Sequence, residues 1–382
     1  MEKGRVLYVT TVSRTINAFL LPHIDRLIEE GYKVDIACHI DKEIDKKLIN
    51  KGVKVYDIPF ERTPFSLKNI KAFIDLVKIQ KKNNYNIVHV HTPVASIYGR
   101  LLKIKFKDLK TIYTVHGYHF FKGGSKLAWV IYYPIEKLMS RLTDVTITIN
   151  LDDYRITKRK LKPKSVYYIK GVGIDLKEYK TLTQQKILEK KKELGLETDD
   201  FIIIMIAELN KNKNHMQLIK ALDILNKKYK NIKALCVGDG IKLQELKEEV
   251  RNRGLEKNII FLGFRNDINE LINIGDIGIL LSYREGLPRN ILEFMANGKK
   301  VIATDIRGNR DLICNSDLGT LVKINDYEET ALAIEFYYKY KISHDKLNLI
   351  GEYNILKETE NYEVKKICNE LIKIYDSLSL CE

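Results

Sequence analysis

The chain is poor in residues that staple or interrupt a fold. Of 382 residues, five are cysteine, seven are proline and one is tryptophan. The cysteines (Cys38, Cys236, Cys314, Cys368, Cys381) are odd in number and scattered, with no C-x-x-C. That excludes a disulfide framework and a structural zinc site, and it fits reduced thiols. Seven prolines and 21 glycines exclude a collagenous or linker-rich chain. No apolar run approaches the roughly 18 residues of a membrane-spanning helix, since the longest, Phe201–Ala207 and Leu127–Ile135, are far shorter. Met1-Glu2-Lys3-Gly4-Arg5 runs directly into an apolar strand and not into a leader, so a cytoplasmic protein is expected.

Several chemistry-bearing motifs are also missing. There is no G-x-x-x-x-G-K-[ST] loop, no G-x-G-x-x-G after the first strand and no G-x-S-x-G elbow. P-loop hydrolysis, an ordinary dinucleotide site and an α/β-hydrolase nucleophile are thereby disfavoured. No Asp-x-Asp occurs to anchor a metal-bridged diphosphate. His89, His91, His116 and His119 stand near strand ends, but no H-E-x-x-H or suitably spaced carboxylate accompanies them, so no metal is expected.

What is present is a globular composition, 45% hydrophobic and 30% charged, long enough for two domains at roughly 100–200 residues each. The net charge of +15 is unevenly placed. Residues 1–180 hold 34 Lys and Arg against 18 Asp and Glu, while the remainder holds 31 against 32. Such asymmetry points to a polyanionic partner of the N-terminal half, a membrane surface or nucleic acid, with plain solubility as the bland explanation. The clusters Lys103/Lys105/Lys107/Lys110 and Lys158–Lys164 come with no zinc-finger, RNA-recognition or basic-zipper pattern. That favours an anionic membrane over nucleic acid.

Strand and helix patterns alternate. Apolar strands are expected at Val6–Thr10, Lys33–Cys38, Val53–Ile58, Ile87–Val90, Thr111–Val115 and Asp144–Asn150, with helices around Phe19–Ile28, Ile70–Ile79 and Ala95–Leu102. After a polar segment, Thr181–Asp200, the pattern restarts. Strands are expected at Phe201–Ala207, Ala234–Val237, Ile259–Leu262, Ile277–Leu281 and Lys300–Thr304, separated by helices. A helix of about Tyr362–Leu378 ends the chain. Such alternation implies two doubly wound α/β domains of parallel sheet, with ligands outside the carboxyl ends of the strands, in a cleft the domains face.

The densest polar cluster is Ser282-Tyr283-Arg284-Glu285-Gly286-Leu287-Pro288-Arg289-Asn290, which ends a strand and opens a helix carrying Glu293. Two carboxylates eight residues apart can reach two parts of one elongated ligand, and the helix start suits a diphosphate. An acidic first turn with a cap is the structural alternative. Ala207-Glu208-Leu209-Asn210-Lys211-Asn212-Lys213-Asn214-His215 follows another strand, where Lys213 is either a phosphate partner or part of a solvated loop. Val237-Gly238-Asp239-Gly240 permits close backbone approach. In the first half, His91-Thr92-Pro93 and Thr114-Val115-His116-Gly117 follow strands.

Together these residues resemble the retaining glycosyltransferases of family 4, which have the GT-B fold, and the resemblance spans nearly the whole chain. S-Y-R-E-G-L-P-R-N-I-L-E-F-M-A, V-I-A-T-D-I-R-G-N-R-D-L-I and T-V-H-G carry it most specifically. H-T-P-V-A-S and A-E-L-N-K-N-K-N-H are similar to segments of bacterial capsule and exopolysaccharide transferases. The resemblance implies an acceptor-binding domain over 1–180, joined by a crossover helix at about 360–382, and a nucleotide-sugar domain over 181–359. It implies Glu285 and His116 at the transferred sugar and Glu293 at the ribose. Lys213 and the backbone around Gly286, Leu287, Arg289 and Asn290 would hold the diphosphate, and Gly263, Phe264 and Arg265 would border the base. Ser13, Arg14, Thr15 and His91 would meet the acceptor.

The family's usual G-R-L arginine is replaced by Glu208. Another cation such as Arg289 or Arg307 would then take its place, or Glu208 would contact a sugar hydroxyl or amide. The usual Gly-Gly loop is replaced by Thr11–Thr15. The implied activity is metal-independent transfer of an N-acetylhexosamine-type sugar from a UDP-sugar to a lipid-diphosphate-linked saccharide at the inner membrane leaflet, with no nucleic acid involved. A nucleotide-sugar epimerase or a non-catalytic nucleotide-sugar-binding protein are the alternatives.

Overall fold

The computed structural model describes residues 3–63, 66–343 and 349–379. The chain forms two compact units, Met1–Gly173 with Val364–Glu382, and Ile174–Glu363. From the sequence the division is expected at 180/181. In the structure Ile174 already belongs to the second core, with Leu176 and Tyr179 packed against it.

The first unit holds a parallel sheet of β1 (Gly4–Val12), β2 (Tyr32–His39), β3 (Val55–Asp57), β4 (Ile87–Val90), β5 (Lys110–Val115), β6 (Val145–Thr148) and β7 (Ser165–Tyr168), in the order β3-β2-β1-β4-β5-β6-β7. The order reverses between β1 and β4, where Val6 lies opposite both Val34 and Ile87. Helices Leu67–Asn83, Pro93–Lys105, Lys126–Met139 and Leu151–Lys160 share one core with Leu7, Val9, Val88 and Val90. Helices Leu21–Glu29 and Val364–Ser379 pack on one another, with Cys368 Sγ 3.6 Å from Pro22 O. The closing helix thus belongs to the first unit, and its Tyr375 meets His89 of β4 at 2.7 Å. After β1 the backbone passes through a π-helical turn, Ile16–Leu20, before Leu21–Glu29. Pro22 lies in the first turn of that helix and has no N–H for the ladder behind it, a common setting for such a slip.

The second unit holds β8 (Phe201–Ile206), β9 (Ile232–Val237), β10 (Ile259–Gly263), β11 (Ile277–Leu280), β12 (Val301–Thr304) and β13 (Gly319–Val322), all parallel, in the order β10-β9-β8-β11-β12-β13. Phe-Ile-Ile-Ile-Met-Ile shows why β8 is continuously apolar. Phe201, Ile203 and Met205 enter one core while Ile202 and Ile204 enter the core on the opposite face.

The sequence pattern does not reveal β7 and β13. Both are four-residue edge strands paired on one side only and partly exposed, so neither shows a buried apolar run. Nor does it reveal helices Lys126–Met139, Leu151–Lys160, Gln184–Glu193, Tyr327–Ser343 and Leu349–Thr359. Gln184–Glu193 lies inside the segment expected to be polar connection. It is capped by Thr183 and anchored by Lys190, whose Nζ meets Asp267, Glu193 and Glu270 within 3 Å.

Gly278 in β11 tests how closely the second core is packed, because a Cβ there would stand 2.6 Å from the Phe294 ring. Gly278→Ala is expected to lower unfolding free energy in urea by about 1–3 kcal/mol. An unchanged midpoint would show that the helix Arg289–Ala296 yields freely.

Candidate active site

The second sheet reverses its order between β8 and β11, and the loops leaving those two strands are neighbours. Asn212 accepts from Tyr283 N–H at 2.8 Å and donates through Nδ2 to Arg284 O at 3.0 Å. Asn290 Nδ2 donates to Ile206 O at 2.7 Å, tying the helix start to the end of β8. With the loops so fixed, Lys213 Nζ lies 2.6 Å from Glu285 Oε1, both side chains largely buried. Lys213 is itself placed by a tight turn in which Asn210 Oδ1 caps its N–H at 3.1 Å and Asn214 takes a left-handed conformation.

Arg307, buried, donates from Nε to Glu285 O at 3.0 Å. Gly308, at φ +77°, brings its backbone so close to Gly286 that a Cβ would stand 2.2 Å from Gly286 O. The helix Arg289–Ala296 starts at Pro288, which makes no side-chain cap; Asn290 Oδ1 accepts from Ile291 N–H at 2.9 Å, and the rest of the first turn is suited to an anion. Leu287 packs against the core on the helix side of the sheet.

Glu293 lies one turn into that helix. Burial pushes its carboxyl above the usual range, against the pull of Arg289, whose Nε is 3.3 Å away. Tyr179 interacts with both side chains, and burial followed by the Glu293 charge raises its phenol. Glu178 lies 3.8 Å from the Arg289 guanidinium. Tyr179 joins the candidate site through these contacts, and no sequence motif signals it, because it comes from the segment entering the unit.

Gly263 is left-handed at φ +67° and its carbonyl accepts from Gly238 N–H at 2.8 Å. Phe264 N–H donates to Asp239 Oδ2 at 3.1 Å, and the Phe264 ring is exposed. Arg265 is held by Asp267, with Nε 2.8 Å from Oδ1, and by Glu193 at 3.4 Å. Glu208 is exposed, and among the described residues its carboxylate has no ion-pair or hydrogen-bond partner. Arg289 and Arg307 both have local partners, as described above, and Lys213 lies at the β8–β11 junction beside Glu285.

In the first unit the corresponding loops follow β1, β4 and β5. Thr11 N–H and Oγ1 meet Thr92 Oγ1 at 2.8 and 2.6 Å. Ser13 is buried. Its Oγ lies 2.9 Å from Asp41 Oδ1 and accepts from Lys42 N–H at 3.0 Å. Arg14 Nε donates to Asp41 Oδ2 at 2.5 Å, so Arg14 is paired, though its side chain stays mostly exposed. Partial burial pushes the Asp41 carboxyl up, but hydrogen bonds from Arg14 and Ser13 outweigh it and hold the group below its ordinary range. Thr15 lines a cavity of about 320 Å³ together with Thr11, Arg62, Pro93, Tyr132 and Glu136. Glu136 is tied to the buried Arg100 by bonds of 2.9 and 3.1 Å.

His91 and His116 lie with Nδ1 and Nε2 3.2 Å apart, and His91 is fully enclosed. His89 joins Tyr375 Oη to Thr114 Oγ1, each at 2.7 Å. Burial, then the neighbouring imidazoles, lowers His91 and His89 well below the ordinary value, and burial lowers His116 to about 4. A bond between two neutral rings needs one donor and one acceptor nitrogen, so one ring fixes the other's tautomer. His91 Nε2 is buried without a partner, so its proton is better placed on Nδ1, donating to His116 Nε2. His116 then offers an N–H from Nδ1. Among the described residues no three His, Cys, Asp or Glu side chains are placed to hold a metal ion.

Both halves of the chain match known sequence families. Residues 5–150 match the model of the 4-like glycosyl transferases, and residues 186–354 that of glycosyl transferases group 1. EpsD of Bacillus subtilis (strain 168), assigned as a glycosyltransferase, is 34% identical over 96% of this chain and 95% of its own length. The chain belongs to glycosyltransferase family 4. It is 27% identical to the Escherichia coli UDP-Gal:alpha-D-GlcNAc-diphosphoundecaprenol alpha-1,3-galactosyltransferase, over 93% of this chain and 92% of that one. The structure of Anabaena HepE in complex with UDP and glucose shares the fold at TM-score 0.80 and 20% identity, covering 98% of this chain and 100% of that one. The protein is therefore a GT-B glycosyltransferase, related to enzymes that act on lipid-linked saccharides.

The enclosed imidazoles make stability depend on acid. Their folded pKa values lie below the unfolded value of about 6.5, so their full stability is present above that pH and is lost as pH falls toward the folded values. For His116 alone, from 6.5 to about 4, the loss is of the order of 3 kcal/mol. Urea unfolding is expected to show a steep decline between pH 6.5 and 4. A flat profile would show that these rings ionise in the folded state.

Proposed function

We propose that this glycosyltransferase moves a sugar from a UDP-sugar to a lipid-diphosphate-linked saccharide, with retention at the anomeric carbon and without a metal. The observation that carries the proposal is the Lys213–Glu285 pair beside a helix start at the reversal point of the second sheet. A lysine and a helix N-terminus together suit a diphosphate, and a fixed carboxylate suits sugar hydroxyls. The E. coli relative, which takes UDP-Gal to a diphosphoundecaprenol acceptor, supports the donor nucleotide and the acceptor class.

In this reading the bond between the anomeric carbon and the β-phosphate oxygen breaks as negative charge grows on that oxygen. Lys213 and the helix start stabilise the charge. The acceptor oxygen bonds to the same face of the anomeric carbon, and its proton passes to the departing phosphate. Glu285 orients the sugar, His116 donates an N–H to it and Glu293 binds the ribose. Gly263, Phe264 and Arg265 border the base. Glu208 contacts the sugar, and Ser13, Arg14, Thr15 and His91 shape the acceptor end. An anionic membrane surface presents the acceptor to the basic first unit.

An N-acetylhexosamine is the sugar proposed, from the likeness to capsule and exopolysaccharide transferases, and the galactose of the E. coli relative is the rival arm. Thermal unfolding with a panel of UDP-sugars in EDTA separates the two. Donor at 100 times its dissociation constant adds about 2.7 kcal/mol, roughly 5–10 °C for domains of this size. Lys213→Ala is expected to abolish the shift. Stabilisation only by GDP- or ADP-sugars, or only with added metal, would overturn the assignment. In transfer assays Glu285→Ala is expected to lower kcat by about 10²–10³ while the protein stays folded. Near-normal turnover would remove Glu285 from the mechanism, and conversion of the nucleotide sugar without acceptor would make the protein an epimerase.

A further inference from the structure

The four helices that cover one face of the first sheet carry an unusual outer surface. Every side chain that Leu67–Asn83 exposes is aliphatic or lysine. Leu67, Ile70 and Ile74 are 80, 53 and 49% exposed, and all the others are lysines. Lys126–Met139 exposes Leu127, Val130, Pro134 and Leu138 in one stripe over three turns, with Lys126 and Lys137 as its only charges there. Val130 and Leu127 are 71 and 68% exposed. Pro93–Lys105 exposes Ile104 and Lys105, and Leu151–Lys160 exposes Leu151 and four basic residues.

No described helical residue exposed on this face is acidic. Asp75 and Asp152 are only part-exposed, and each is paired with a cation three residues on. The helices of the opposite face differ. Leu21–Glu29 exposes Glu29, and Val364–Ser379 exposes Glu370 among its lysines.

We infer that this four-helix face is a docking surface for an anionic lipid bilayer, with the aliphatic side chains entering the headgroup–acyl boundary and the lysines resting on the headgroups. Exposed aliphatics alone would mark a protein contact, and lysines alone a solvated face. Interleaved, on helices that expose no acid among their described residues, they match a surface that is negative outside and apolar within. Nucleic acid would use the cations and leave Ile70, Ile74, Leu127 and Val130 in water. The cavity of about 320 Å³ is walled by Ile97 of one of these helices and by Tyr132 and Ile135 of another. This surface therefore lies beside the acceptor end, a link that rests on the proposed lipid-linked acceptor.

The test is co-sedimentation of the full chain with vesicles of phosphatidylcholine alone or mixed with phosphatidylglycerol. Wild type is expected to bind the mixed vesicles, and less so as salt rises. Lys71→Gln with Lys126→Gln should weaken binding about 25-fold, at roughly fivefold per lysine. Ile70→Ser with Val130→Ser should weaken it by at least about tenfold, because buried aliphatic area is lost. Lys365→Gln with Lys366→Gln, on the opposite face, should leave it unchanged.

Binding unmoved by the aliphatic pair, an equal loss from the opposite-face pair, or no binding at all would overturn the proposal. So would displacement by duplex DNA that depends on the lysines alone, which would assign the face to nucleic acid. Transfer to a short-chain soluble acceptor reads the enzymatic proposal separately. Variants that lose vesicle binding but keep that transfer support the docking surface. Vesicle binding with the expected variant losses but no transfer would retain the surface and overturn only the assigned reaction.

Discussion

In each parallel sheet the strand order reverses once, and the closest pairings among the candidate site residues form at that reversal. Connections between parallel strands are right-handed, so helices before and after the reversal cover opposite faces, and the loops at that point diverge. Between β8 and β11 the divergence brings Lys213 to Glu285 across 72 residues of chain. Between β1 and β4 it brings Thr11 to Thr92 across 81. The strands of the two sheets are scaffolding for these two openings, and their buried apolar side chains keep the openings fixed.

Much of the polar chemistry around the second opening positions loops and does not face solvent. Asn212 and Arg307 each satisfy a main-chain carbonyl of the loop after β11, and Asn290 satisfies the carbonyl at the end of β8. Such bonds are worth about a kilocalorie each, but a buried carbonyl without one loses more, so together they specify one loop arrangement. The Lys213–Glu285 pair should be understood in the same way. Part of any Coulombic gain is offset by desolvation, so its value lies in holding two charges ready for a polar ligand more than in stability. Glu293, largely buried beside Arg289 and Tyr179, is another group kept in an environment that does not favour its own ionisation.

Most of the fold was legible because parallel strands covered on both faces read as short apolar runs between amphipathic helices. Phe201–Ile206 is the clearest case. The sequence failed where that signal fails. The edge strands β7 and β13 lack a second neighbour, and Gln184–Glu193 is charged on nearly every side. Lys126–Met139 is apolar on the side facing solvent as well as the side facing the core, so its period is blurred. The same property marks its outer face as unusual.

At the level of the site, the sequence by itself determined which residue types follow which strands, and the motifs around Glu285, Lys213 and His116 were enough to indicate the family. It did not determine which of those residues meet. Pairing depends on strand order, and strand order is set by non-local packing that no local pattern encodes. Tertiary structure therefore decided that Lys213 pairs with Glu285, that Arg289 serves Glu293 and that Arg307 serves the loop backbone. It also decided that Ser13 and Arg14 are bound to Asp41 and that His91 stands behind His116. Tyr179, with no motif around it, became part of the site only because the chain entering the second unit folds back on that unit's core.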